Sequence, residues 1–389
     1  ERRQRPEVPQ EITDDTVLEL LALLGPDLGD DGERILRRVA ADAPWHFAPA
    51  VEEVLTGRAL ASYGQGLLAD LTEAYYLDEE DDGGSGLMDD GIRNHHTRGL
   101  ITPLHAWYRG PFMPLFQTDL RRGVAVLNRM LNHAALVRAH TLAGLHGPWG
   151  QVSEEEADQY KTELRVTGEP RIYAGDDHVW MWYRGTGVGP YPCMSALAAL
   201  EIVCDQYIAG GASLPNLIAL LLDGCENLAM LGLVVGILVR HIERAEALLD
   251  PFLAEPAVWH LEVSRMVSES GGLAASSGHI TEPERRKWTL REAASWLAIY
   301  ADVERAEALR AVGDALVANA VRLVSEREGD DDAADAGEPA DPRAAKYVTT
   351  VRNWASALDR DRYRTFEQDG LTYVQAVPDE EVVAALQEG

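Results

Sequence analysis

The sequence is poorest in lysine. Three lysines (Lys161, Lys287 and Lys346) stand among 389 residues, and the rest of the 35 basic side chains are arginines. Against 64 acidic residues they leave a formal charge of −29. Binding a polyanion requires Lys and Arg to replace the counterions it releases. No basic run here exceeds Arg285-Arg286-Lys287. The composition therefore argues against nucleic acid as a partner, while leaving room for a local arginine site.

The shortage of lysine also removes a whole class of chemistry. None of the three lysines follows a glycine, which excludes the GxxxxGK[ST] loop that cradles nucleotide phosphates. HExxH, the GxSxG elbow and the lysine/HRD/DFG set of protein kinases are missing as well. Cysteine is nearly as scarce. Cys193, Cys204 and Cys225 are an odd number with no CxxC pair, so neither a disulfide framework nor a cysteine-based zinc site is expected. Buried free thiols in a reducing, cytoplasmic compartment are the reading. Long apolar runs are lacking too. Leu228 to Val239 is the most apolar stretch, well short of the roughly 20 residues that cross a bilayer, so it is expected to be a core helix and no membrane partner is expected. The chain opens on Glu1-Arg2-Arg3 without a signal peptide and closes inside an amphipathic pattern, "PDEEVVAALQEG". Both ends read as cuts from a larger protein.

What is present is globular: 46% apolar and 25% charged residues, enough for sizeable cores in two or three domains. Apolar residues three or four apart predict a mainly α fold, either α-solenoid-like or an irregular helical array. Four helices are expected between 16 and 77, and one covering part of 91–106. A long one is expected at 116–145, followed by "CMSALAALEIVCDQYIAG", and by helices at 214–223, 225–248 and 251–270. Two more lie in "TLREAASWLAIYADVERAEALRAVGDALVANAVRLVSERE" and one at 343–358. Alternation around Gly-Glu-Pro and Gly-Asp-Asp predicts a β-hairpin insertion at 163–184, and "YRTFEQDGLTYVQAV" a strand pair at 363–377. The stretches 78–91 and 329–342 are acidic and read as solvated, removable loops. The expected division is a helical region at 1–150, hairpin plus helical bundle at 151–328, an acidic linker at 329–342, and a truncated helix with short strands at 343–389.

Chemistry-bearing clusters are few. His95, His96, His105, His133, His140 and His146 fall in one region, but the adjacent pair would point about 100° apart on a helix, a poor chelating geometry. No metal site and no cofactor are expected. The densest cluster is "DDHVWMWYRGTGVGPYPCMSALAALE". Read as a strand, it would turn one of Trp180 and Trp182 inward and set Arg184 at its end, before glycines that allow close backbone approach. Ser195 would begin the following helix, whose free N–H groups can receive an anion. Trp182, Tyr183, Arg184 and Ser195 are therefore the candidate binding residues. The competing reading is a hairpin docked on a helix, with Arg184 paired to Glu201 or Asp205.

Three stretches, "ADAPWHFAPAVEEVLTGRAL", "YRGPFMPLFQTDLRRGVAVLNRMLNHAA" and "VWMWYRGTGVGPYPCMSALAALE", resemble the helical region of very large actinobacterial ATP-binding proteins. Those in turn are similar to the STAND-type P-loop ATPases of bacterial antiphage defence. The resemblance spans most of 40–360 and implies a helical scaffold or sensor beside a nucleotide-binding core and an effector. Lacking a Walker motif, this segment would be a non-catalytic portion that meets a protein partner or other domains of the same protein, with oligomerisation through the parent protein. Two alternatives stay open: a helical hydrolase using paired carboxylates, and an oligomerisation spacer.

Overall fold

The structure, a computed structural model, describes residues 14–64, 66–77, 90–96, 104–146, 157–270, 280–328, 341–368 and 371–377. The fold is mainly α. Among the described residues seventeen α-helices accompany two two-stranded sheets, and helix lengths from 4 to 27 residues show no repeating pair. No helix among them is long and apolar enough to cross a membrane. Most of 78–91, 97–103 and 329–342, and the terminal helix expected after 377, lie outside the described residues.

The chain divides into two compact units. The first takes Glu1–Lys161, Tyr173–Val234 and Gly272–Ile280; the second takes Thr162–Ile172, Val235–Gly271 and Thr281–Gly389.

In the first unit, helices Asp14–Leu23, Gly29–Asp42, Ala48–Glu52, Val54–Tyr63 and Leu67–Tyr76 follow the apolar periodicity, burying Ala22, Leu36, Leu60, Leu68 and Leu71. The periodic stretch 59–77 is two helices rather than one, because Gly64 and Gly66 adopt φ of +85° and +75°, a region that breaks the helix and suits glycine. The long helix expected at 116–145 is also divided, into Phe112–Thr118 and Leu120–His146. Asp119 leaves helical geometry there, and its carboxylate accepts from Arg122 N at 3.1 Å, an N-cap that starts the second helix.

The described part of 91–106 is not helical. Its backbone donors are taken by distant partners: Arg93 N by Tyr76 O at 3.1 Å, and His96 N by both Glu52 oxygens at 2.8 and 2.9 Å. Tertiary bonds replace the helical ladder that periodicity alone predicts.

The hairpin insertion is shorter than expected. Strands run only over Lys161–Leu164 and Arg171–Ala174. The residues beyond them, read as a strand, form the helical turn Asp177–Met181 and the 3₁₀ turn Trp182–Arg184. Asp176 explains the switch: its side chain accepts from Val179 N at 3.1 Å as an N-cap, and bonds Arg138 at 2.9 and 2.7 Å. Without strand alternation there is no solvent-facing aromatic: Trp180 and Trp182 are 0% and 1% exposed. The turn packs on helix Tyr191–Ala209 and against Gly232, where a Cβ would stand 2.6 Å from Trp180 O.

In the second unit, helices Asp250–Leu253, Pro256–Ser270, Leu290–Tyr300, Val303–Glu328 and Pro342–Ala355 bury Leu249, Phe252, Leu309, Leu316 and Val351. Leu290–Tyr300 opens on a Thr289/Glu292 capping box. Trp259 stacks on Trp354 at 5.7 Å. Arg265, fully buried, bonds both Glu262 oxygens at 2.9 Å, Glu269 at 2.8 Å and Trp288 O at 2.7 Å. The strand pair expected at 363–377 is present as Tyr363–Gln368 against Leu371–Ala376, antiparallel, with Tyr363 facing Ala376 and Gln368 facing Leu371.

Candidate functional site

Three of the four residues singled out in the sequence lie together. Trp182, Tyr183 and Arg184 form the buried 3₁₀ turn, and the Arg184 guanidinium stands over the Tyr183 ring at 5.6 Å. Ser195 does not begin its helix. That helix starts at Tyr191, so Ser195 occupies its second turn and its backbone N–H is no longer one of the free terminal donors. Its side chain meets a different set of residues altogether.

Ser195 Oγ lies 3.0 Å from His95 Nε2 and accepts from Ala106 N at 3.2 Å. On the other side of the imidazole, His95 Nδ1 is 3.1 Å from Tyr76 Oη and 3.7 Å from Glu52 Oε1. A neutral imidazole donates at one nitrogen and accepts at the other, so the Ser195 and Tyr76 hydroxyls satisfy both. Glu52 in turn accepts from Tyr75 Oη at 3.0 Å and from His96 N. Burial lowers the His95 pKa, against the pull of Glu52. Burial also raises Tyr75 and Tyr76 well above the ordinary phenol value, with Glu52 adding to it.

A hydroxyl, an imidazole and a carboxylate in line is the arrangement of a nucleophilic triad. Nucleophilic attack also requires a reacting atom about 3 Å from the hydroxyl oxygen. Ser195 has 0% exposure, and its oxygen is already bonded on both sides. The line therefore acts as a clamp: it fastens the irregular segments around His95 and Ala106 to the helices that carry Glu52 and Ser195. Sequence reasoning could not find it, because Ser195 and His95 are 100 residues apart and match no short motif.

The second unit holds an open feature that the sequence analysis missed. Ile242, Glu243, Glu246, Trp296, Leu297 and Tyr300 are among the residues lining a groove of about 480 Å³, within the roughly 300–1,000 Å³ range of ligand pockets. The floor is apolar, with Ile242 and Leu297 buried. Trp296 and Tyr300 stand one helical turn apart with ring centroids 4.8 Å from each other, and Tyr300 is 69% exposed. The rim carries charge. Glu243 bonds Arg285 at 2.6 Å, and Arg305 bonds Asp250 at 2.6 and 2.5 Å and Glu246 O at 3.1 Å. Glu246 itself has φ of +46°, a conformation that costs a non-glycine residue on the order of 1–3 kcal/mol. The one signal in the sequence was the aromatic pair at i and i+4 in "SWLAIY", which places two rings on one helix face.

Among the described residues, no group of three His, Cys, Asp or Glu side chains is arranged to hold a metal ion. Comparison with known protein families and with curated proteins gives no match.

Proposed function

We propose that this chain is a non-catalytic helical scaffold or sensor segment of a larger bacterial ATPase of the antiviral-defence kind, and that its task is to recognise a protein partner. The ATPase context follows from the sequence resemblance. The observation that supports recognition is the groove of the second unit. It exposes a tyrosine ring and a strained Glu246 beside an apolar floor, features that a purely structural surface has no need to maintain.

The hydrolase alternative needs a carboxylate of raised proton affinity within reach of substrate. Burial raises the pKa of Glu255, but this residue is 3% exposed and accepts Arg165 N at 2.9 Å, so it serves the fold. The spacer alternative requires self-association of the chain.

The test is photo-crosslinking from position 300 in the whole protein in its native host, with p-benzoylphenylalanine replacing Tyr300. A single, different protein captured there is the expected result. Capture of a second copy only would transfer the role to the spacer alternative, and no capture would overturn the reading. A fluorophosphonate probe on the purified chain completes the test: no labelling is expected, and labelling of Ser195 would establish an enzyme instead.

A further inference from the structure

We infer that the groove of the second unit receives an arginine side chain from a basic segment of the partner protein. The inference rests on the recognition reading above and names the chemistry of what is recognised.

The first argument is charge. Among the charged side chains that line the groove or pair with a lining residue are the carboxylates Glu243, Glu246 and Asp250 and the guanidiniums Arg285 and Arg305, with Arg244 also acting on Glu243. Both guanidiniums are engaged, Arg285 with Glu243 and Arg305 with both oxygens of Asp250. Glu246 is thus an exposed lining carboxylate with no ion pair among the described residues, in a chain whose formal charge is −29. An exposed carboxylate of this kind attracts a cation and repels an anion.

The second argument is geometry. Flat aromatic faces beside a carboxylate make a guanidinium site, because the ring quadrupole attracts a cation and the planar fork stacks on the ring. The protein already uses this chemistry at the same helix. Its own Arg285 stands 5.5 Å from the Trp288 centroid and 5.8 Å from the Trp296 centroid while bonding Glu243. Tyr300 and Glu246 bring the same two components, ring and carboxylate, to the groove, and among the described residues Glu246 has no ion pair: Arg305 meets its carbonyl and spends its charge on Asp250.

The third argument is the backbone. Arg305 holds the carbonyl of Glu246 while its guanidinium is fixed by Asp250. The strained turn is therefore fastened from within, and Glu246 keeps its place at the rim. A glycine would suit φ of +46° better, yet the residue here is the one that supplies charge.

The experiment uses the full chain and two labelled heptapeptides, one carrying two arginines and one with citrulline in their place, followed by fluorescence anisotropy. Citrulline keeps the size and planarity of arginine but removes its charge and replaces one donor group by an acceptor. The arginine peptide is expected to bind at least about tenfold more tightly than the citrulline peptide. Tyr300→Ala and Glu246→Gln are each expected to weaken it about two- to fivefold, the range of an exposed cation–π contact or ion pair. Leu55→Ala, an exposed position in the first unit, should leave binding unchanged. Equal binding of the two peptides, binding indifferent to both groove variants, or no binding of the arginine peptide would each overturn the inference. If the arginine peptide fails while the cross-link from position 300 still captures one protein, recognition stands and the arginine assignment falls. If both fail, both fall.

Discussion

Ser195, His95 and Glu52 in the first unit have the chemistry of a reactive site but its hydroxyl and imidazole are buried, whereas Trp296, Tyr300 and Glu246 in the second have access and no nucleophile. In the first region both ring nitrogens of His95 meet a hydroxyl inside the protein. In the second, a ring and a carboxylate are left facing water. Residue identity alone would rank these regions the other way round. Burial decides, because a buried polar group already bonded on each side has no capacity left for a ligand, while an exposed apolar ring next to a charge gains from being covered.

If this contrast is right, substitutions in the first unit should damage stability and those in the groove should spare it. The largest effect is expected at the aromatic turn that supports the first region. Trp180→Ala and Trp182→Ala should each lose about 3–5 kcal/mol in denaturant unfolding, since both side chains are fully buried. A mild effect at either would place that indole at the surface. Ser195→Ala comes next. It leaves His95 Nε2 and Ala106 N without their partner, a cost of about 1–3 kcal/mol, and a neutral result in the same measurement would dissolve the clamp.

Acidification should strain the same region. The folded pKa of His95 lies below the ordinary value of 6.5 because of burial, so on acidification the unfolded chain takes up its proton first. The stability that His95 contributes is complete above pH 6.5 and is lost as pH falls from there through the lowered folded value. His105 shifts in the same direction for the same reason. Thermal melts from pH 7.5 to 5 should therefore fall more steeply for the native chain than for His95→Gln, and parallel curves would refute the assignment.

In the groove the sign reverses. Glu246→Gly should raise stability by about 1 kcal/mol by relieving the positive φ, with unfolding by denaturant as the check. A loss would mean that the carboxylate has a structural partner. Smallest of all, Tyr300→Ala should change stability by less than about 0.5 kcal/mol, as exposed positions do; a drop beyond about 1 kcal/mol would make the ring part of the core.

Periodicity made the helices legible, and the second strand pair was legible because alternation in "YRTFEQDGLTYVQAV" is bounded by a turn signal. "VWMWYR" misled for a physical reason. A run of large apolar residues satisfies a strand template and a fully buried turn equally, and the deciding residue, Asp176, lies just upstream as a helix cap. The segment around His95 was read as partly helical because nothing local shows that Glu52 and Tyr76 take its backbone donors. Trp182, Tyr183 and Arg184 are consecutive and form one buried turn, while Ser195 joins His95 through a tertiary contact that no spacing rule encodes.

The three cysteines have a further consequence. Cys193, Cys204 and Cys225 are in no disulfide and at most 2% exposed, and burial raises the Cys193 thiol well above its ordinary pKa. In the native protein they should be slow toward thiol reagents. The unmodified chain thus carries its own silent clock: the rate at which each sulfur is alkylated measures how often the helices around it part. A cysteine placed at position 300 would react at once against that quiet background, giving a single fluorescent or spin label on the rim of the groove without removing any native residue from the interior.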